Sequence, residues 1–223
     1  MDPLEYQPSI FPFGLRIDQP VTAITDLPVA IVCFYAFYKI GQWKQNEKIS
    51  LFFRLYFLFL GIGTLWAGFV SHAFLYALGD LWKVPGWFMT LFSITMICLA
   101  SIEFTKDQTS KRTAMILNSI VLIELLIVAY LTLSSLNFKW ARFYSAFGLL
   151  GIVAPLHGWA WWKNQNQTSQ LILLAILTFV ISGFIFLFKL SLHLWFNHVD
   201  ATHLMLAVVA YIFYVAVKQL EIK

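Results

Sequence analysis

Seven long apolar runs, separated by short polar segments, dominate the hydrophobic pattern of the chain. Each run approaches the roughly 20 residues that a helix needs to cross the hydrocarbon core of a bilayer. The apolar positions are continuous and do not alternate with period two, which argues against a membrane barrel. We therefore predict an all-α fold, a polytopic bundle of seven transmembrane helices. The predicted spans are residues 21–40, 50–78, 85–104, 113–133, 140–162, 170–189 and 199–217.

The same pattern divides the chain into an N-terminal segment, 1–20, a seven-helix domain, 21–218, and a short tail, 219–223. The first twenty residues mix acids and prolines with apolar residues and contain no continuous apolar centre. This differs from the basic start and hydrophobic core of a cleavable signal peptide. We expect the first span to act as its own insertion signal.

The composition also indicates a membrane protein. The chain is 60% hydrophobic and 12% charged, with a mean hydropathy of +0.76, whereas soluble domains are about half apolar and a quarter charged. The pI is near 9.0, but the basic residues are scattered singly and form no stripe along which a nucleic acid could bind. The expected partner is therefore the lipid bilayer, with no nucleic acid. Cys33 and Cys98 lie in different apolar runs, which favours buried thiols over a disulfide.

The lysines and arginines predict the direction of the spans. Ten of the fifteen fall at the same membrane side when each is assigned to the nearer end of its span. By the positive-inside rule, this side is cytoplasmic, so the C-terminus is predicted inside and the N-terminus outside. The ten residues are Lys39, Lys44, Lys48, Arg54, Lys106, Lys111, Arg112, Lys163, Lys218 and Lys223.

Ionisable residues converge near the outer ends of three spans. Such groups are costly inside a membrane and indicate function by default. His72 lies six residues before the outer end of the second span, about 9 Å deep at the helical rise. Asp200 and His203, three residues apart, share one face at the start of the seventh span. Asp26 lies at a similar depth in the first span, so these residues are expected to form one layer.

Two histidines and two carboxylates from three helices resemble the nitrogen and oxygen donor set of a catalytic zinc site. We expect His72, Asp200 and His203 to hold zinc, with His198 as an alternative ligand. His198 borders a loop, where a solvated role is the ordinary interpretation. Asp26 or Asp80 would act as general base. Asp80 precedes the third span, where capping the next helix is its structural alternative.

Two other ionisable residues lie apart from this layer. His157 has no ionisable partner at its level, so we interpret it as a hydrogen-bonded packing residue. Glu124 lies in the middle of the fourth span, where structural and functional interpretations are equally supported.

In these residues the chain resembles the CREST superfamily, seven-helix membrane proteins that include alkaline ceramidases and the progestin and adiponectin receptors. Its members share a serine and a histidine four residues apart late in span two, an aspartate near the start of span three, and two histidines four residues apart at the start of span seven. His72 and His203 occupy two of the histidine positions. Gly68 stands at the serine position, Val199 at the first span-seven histidine, and Asp80 only near the aspartate.

The resemblance implies a zinc-dependent intramembrane hydrolase that cleaves a lipid amide or ester, as a ceramidase does. The departures indicate a divergent bacterial member, which would lie in the cytoplasmic membrane. The alternative is a non-enzymatic receptor or regulator in which the same polar cluster braces the helices. The absent serine favours that alternative, because it removes an expected oxyanion donor.

Overall fold

The computed structural model describes residues 7–43 and 47–221. Within these ranges, seven helices are long and apolar enough to cross a membrane, and the only β pairing is two isolated bridges. The all-α, seven-helix prediction is confirmed, and the architecture is compatible with an integral multi-pass membrane protein. The helices are α1, Pro20–Ile40; α2, Glu47–Ala73; α3, Asp80–Gln108; α4, Lys111–Ser135; α5, Lys139–Asn164; α6, Gln167–Leu187; and α7, His198–Lys218.

The second span differs from its predicted extent, 50–78. Its last seven residues, Ala67–Ala73, form π-helical turns, and Phe74 then leaves the helical conformation with φ −126° and ψ 21°. Only a single helical turn, Leu75–Leu78, follows. An apolar pattern depends on side-chain polarity and cannot indicate a change of backbone hydrogen-bond register. Such π turns occur frequently at functional sites.

The helices form a closed ring. α1 packs against α2, and α2 packs against α3. α6 packs against α7, and α7 packs against α1. α3 is the most enclosed of the seven, with 56% of its apolar window buried, whereas only 11% of the window of α4 is buried. α4 therefore lies at the periphery, and its apolar surface is exposed on the outside of the bundle.

Small residues let α2 and α3 approach closely. A Cβ added to Gly63 would lie 3.0 Å from the Cβ of Met89, and one added to Gly86 would lie 3.0 Å from Cδ1 of Trp66. Glycines at such positions allow backbones to pack tightly in a membrane, where association depends on van der Waals contact.

At the end of the bundle opposite the N-terminal segment, His157 joins three helices. Its Nδ1 lies 3.0 Å from the hydroxyl of Ser169 on α6, and its Nε2 lies 3.2 Å from the hydroxyl of Ser101 on α3. The ring is fully buried and stacks on Phe104 with centroids 5.1 Å apart. These contacts agree with the packing interpretation of His157. They satisfy both ring nitrogens without an ionisable partner.

Both cysteines are buried and free, as expected. Glu124 on α4 is partly exposed, and its Oε2 atom is buried without a hydrogen-bond partner among the residues described.

We predict that Gly148→Ala destabilises the bundle and that Gly183→Ala does not. A Cβ at Gly148 would meet Cγ2 of Ile94 at 2.5 Å, whereas nothing lies within 4 Å of a Cβ at Gly183. Overpacking lowers the free energy of unfolding by about 1–3 kcal/mol. Where there is space, replacing a helical glycine with alanine raises it by up to about 1 kcal/mol. Thermal unfolding in detergent should give a lower Tm for the first variant only. Equal Tm shifts in both variants would contradict the close contact between Gly148 and Ile94.

Candidate metal centre

Three helices each place one ionisable side chain at the end of the bundle that carries the N-terminal segment. These residues are Asp26 on α1, His72 on α2 and His203 on α7, and one potential ligand atom of each lies within 4.8 Å of the others. Asp26 Oδ1 lies 3.5 Å from His203 Nδ1, and Asp26 Oδ2 lies 3.9 Å from His72 Nε2. We call this group the Asp26–His72–His203 triad.

The carboxylate of Asp26 is the most enclosed member of the triad. Its side chain is 3% exposed, against 19% and 17% for His72 and His203. Its Oδ2 atom is buried and has no hydrogen-bond partner within the part of the chain that the structure describes. A buried, unpartnered carboxylate oxygen is costly, and a cation at this point would offset that cost. Two imidazoles and a carboxylate are suitable donors for zinc and for other divalent first-row metals.

The π-helical end of α2 brings His72 to this position, and Gly68 permits the approach. A Cβ on Gly68 would lie 2.9 Å from the backbone oxygen of Ala23 and 3.0 Å from the Cβ of Asp26. A serine at residue 68 would therefore collide with α1 where α1 carries its carboxylate. The close contact between α1 and α2 explains why the serine of the resembled pattern has no room here.

Gln19, which is not among the site residues predicted from the sequence, orients His72. Gln19 precedes α1 in the left-handed backbone conformation, with φ 42°, and its Oε1 lies 2.8 Å from His72 Nδ1. Because a carbonyl oxygen only accepts, Nδ1 carries the proton and Nε2 offers its lone pair on the side of Asp26. Metal-binding histidines commonly have such a partner on the second nitrogen. Its one sequence signal is its position directly before Pro20, where a helix cap is expected.

Thr25 orients the other histidine. Its hydroxyl donates to the backbone oxygen of Thr22 at 2.9 Å and lies 3.2 Å from His203 Nδ1. Whether this hydroxyl accepts from Nδ1 or donates to it depends on the tautomer of His203. His203 is thus held between Thr25 and Asp26, both on α1.

Asp200, predicted as a ligand, forms hydrogen bonds outside the triad. It is fully buried; its Oδ1 accepts from the hydroxyl of Thr22 at 2.7 Å, and its Oδ2 accepts from Gln7 Nε2 and the backbone N–H of Asn197, each at 2.7 Å. Asn197 caps α7 in return, so the two form a capping box. The carboxylate is fully engaged in these bonds. Asp200 therefore fixes the start of α7, and with it His203, against α1.

Gln7 completes this cross-link. Its Oε1 accepts from the backbone N–H groups of Val21 at 3.0 Å and Thr22 at 3.3 Å, while its Nε2 donates to Asp200. One amide thus joins the N-terminal segment, α1 and α7. Residues 7 and 200 are too far apart in sequence for any local pattern to indicate this contact.

His198 and Asp80 also lie outside the triad. His198 is buried at the first position of α7, with its Nδ1 3.0 Å from the hydroxyl of Ser191. The side chain of Asp80 is 85% exposed, and its Oδ1 forms an ion pair with Nζ of Lys83 at 2.7 Å. The triad therefore contains three of the predicted site residues, His72, His203 and Asp26. Asp26 lies where Asp200 was expected as the oxygen donor.

A family model described as "Family of unknown function (DUF6962)" matches residues 21–222, which contain the whole triad and nearly the whole of all seven helices. The chain belongs to this family. No curated protein and no solved structure matches the chain. The family description names no activity, so the function has to be inferred from the triad and its surroundings.

We predict that His203→Ala removes most bound metal, because it deletes one of three donors. The protein should still insert, since removing a polar group from a span makes insertion easier. His157→Ala is the matched control, because both ring nitrogens of that histidine contact serine hydroxyls far from the triad. Elemental analysis after equilibration with zinc measures the difference. Equal metal loss in both variants would indicate general destabilisation and argue against ligation.

We also predict that Gln19→Ala weakens zinc binding by about 10- to 100-fold, the usual effect of losing a residue that orients a metal-binding histidine. Competition with a chromophoric chelator gives the affinity. Gln170→Ala, at an exposed position on α6, should leave the affinity unchanged. An unchanged affinity for Gln19→Ala would mean that the Gln19 contact does not position His72 for a metal.

Proposed function

We propose that this protein is a zinc-dependent intramembrane hydrolase that cleaves a lipid amide or ester. The observation that carries the proposal is the triad itself, with two imidazoles and a buried carboxylate oxygen that lacks a partner. Three protein donors are typical of catalytic zinc sites, which keep a further position open. Bound zinc would lower the pKa of a water to about 7 and polarise the scissile carbonyl.

Side chains of this protein would bind the metal, orient the ligands and act as general base. His72 and His203 would hold the metal through ring nitrogens, with Gln19 and Thr25 fixing the rings. Asp26 has two oxygens, so one can bind the metal while the other accepts a proton as general base. Asp80 is the second candidate for the base.

The depth of the triad suits a lipid substrate. Asp26 lies six residues and His203 five residues from the start of its helix, which corresponds to depths of about 9 and 7 Å at the helical rise. A reaction at that level could take water from the aqueous side and an acyl chain from the bilayer. Ile24, Phe69 and Leu204 offer exposed apolar side chains on the same three helices. By the charge pattern of the loops, this side would be extracytoplasmic, in a bacterial cytoplasmic membrane.

The resemblance to the CREST superfamily supports the same function through His72 and His203. The third donor would differ, because Asp26 on α1 would stand in for the first histidine of the seventh span.

A non-enzymatic receptor or regulator is the alternative function. The observation that favours it is the tight contact at Gly68, which leaves no space for the serine of the resembled site. In this role the triad would brace α1, α2 and α7 through its contacts of 3.5 and 3.9 Å.

We expect zinc-loaded protein in lipid nanodiscs to hydrolyse at least one member of a panel of lipid amides and esters. Asp26→Asn should lower the rate by about 10²- to 10⁴-fold, the usual contribution of a general acid or base, and a chelator should abolish it. Asp107→Asn changes an exposed acid at the other end of the bundle and should leave the rate unchanged. Mass spectrometry of the released acid gives the rate.

Two results would favour the bracing role instead. One is the absence of turnover by metal-loaded protein across the panel. The other is a lower Tm for Asp26→Asn together with a rate equal to that of Asp107→Asn.

A further inference from the structure

The segment before α1 forms a small hairpin. Ile10 and Ile17 exchange two backbone hydrogen bonds, of 3.0 and 2.9 Å. The chain reverses at Pro12–Gly14, where Phe13 and Gly14 both have positive φ, 53° and 82°. We call residues 10–17 the N-terminal hairpin.

The base of the hairpin is fixed to the end of α2. The backbone N–H of Asp18 donates to the carbonyl of Ala73 at 3.0 Å, and the hydroxyl of Tyr76 donates to the carbonyl of Arg16 at 2.9 Å. The Arg16 guanidinium also lies 4.8 Å from the centre of the Tyr76 ring. These contacts fix the place of the hairpin relative to the helices.

Asp18 strengthens this base. Burial alone would raise its pKa, but hydrogen bonds from Arg16 and Ser9, with the charge of Arg16, outweigh that effect and hold the pKa below its usual value. The carboxylate is therefore ionised at neutral pH, and its ion pair with Arg16 is retained there.

The tip, in contrast, is uncovered and apolar. Phe13 is fully exposed, and Phe11 and Leu15 are 64% and 51% exposed. Three large apolar side chains within five residues would form an unfavourable surface in water. Their exposure on an anchored hairpin calls for an apolar environment outside the chain.

The position of the hairpin identifies that environment. Its base contacts Ala73 at the end of α2 and Tyr76 in the turn that follows. Tyr76 is 44% exposed, and Phe69, four residues before Ala73, is 63% exposed. α1 begins at Pro20, directly after the hairpin, so the hairpin lies at the level where the helices leave the hydrocarbon. Aromatic and cationic side chains are typical of this interfacial layer.

We propose that the tip of the N-terminal hairpin inserts into the interfacial layer of the bilayer, beside the Asp26–His72–His203 triad. The partner is the lipid surface of the leaflet that surrounds the outer end of α2. This inference does not depend on bound metal or on hydrolysis. It gives the segment before α1 a membrane contact of its own, linked to the triad through Asp18 and Gln19.

Spin labelling tests the depth of the tip. Cys33 and Cys98 are buried, so a thiol-reactive nitroxide should label Phe13→Cys selectively, with the parent protein as background. In phosphatidylcholine vesicles, power saturation compares collisions with oxygen, which concentrates in lipid, and with a water-soluble nickel chelate. We expect the label at residue 13 to favour oxygen by several-fold. Asp80→Cys, an exposed position at the start of α3, should give the opposite preference.

Leu15→Cys provides a second tip position in case the first variant folds poorly, and it should also favour oxygen. Labels at 13 and 15 that collide with nickel as often as the label at 80 would place the tip in water and overturn the proposal. Labels shielded from both reagents would also overturn it, because a second copy or another protein segment would then cover the tip.

Discussion

A carboxyl group inside an apolar bundle must be matched by donors or by a cation, or take up a proton. The end of this protein that carries the N-terminal segment is organised around two such groups. Asp200 is matched completely, by a hydroxyl, a side-chain amide and a backbone N–H. Asp26 retains one oxygen without a partner. The cost of leaving such a group unpaired is large in a membrane. The two aspartates therefore have different roles, since the first holds α7 in register with α1 and the second keeps binding capacity available.

The different roles of Asp200 and Asp26 depend on local backbone features. The π-helical end of α2 brings His72 into position, and Gly68 lets the helix lie against the carboxylate of Asp26. On α7, the capping box sets where the helix begins, and His203 follows one turn later. Small changes at a helix end or at one glycine would therefore move a ligand atom by ångströms without altering the overall ring of helices.

The sequence predicts the seven helices well because a bilayer-length apolar run has few alternative structures. It also predicts the layer that contains Asp26, His72 and His203, since depth along a helix follows from residue count. It does not predict which carboxylate stays unpartnered, because that depends on contacts with residues far away in sequence. Gln7, distant from Asp200 along the chain, is the clearest case, and Gln19 has only its position before Pro20 as a signal.

The peripheral place of α4 has a mechanical consequence. Its 25 residues extend about 37 Å at the helical rise, which exceeds the roughly 30 Å of a typical hydrocarbon core. A helix of this length adjusts to bilayer thickness by tilting, and within the described residues α4 packs mainly against α3 and α5. Thinner or thicker membranes would therefore change the inclination of α4 first. The triad, held by α1, α2 and α7 on other parts of the ring, would keep its geometry.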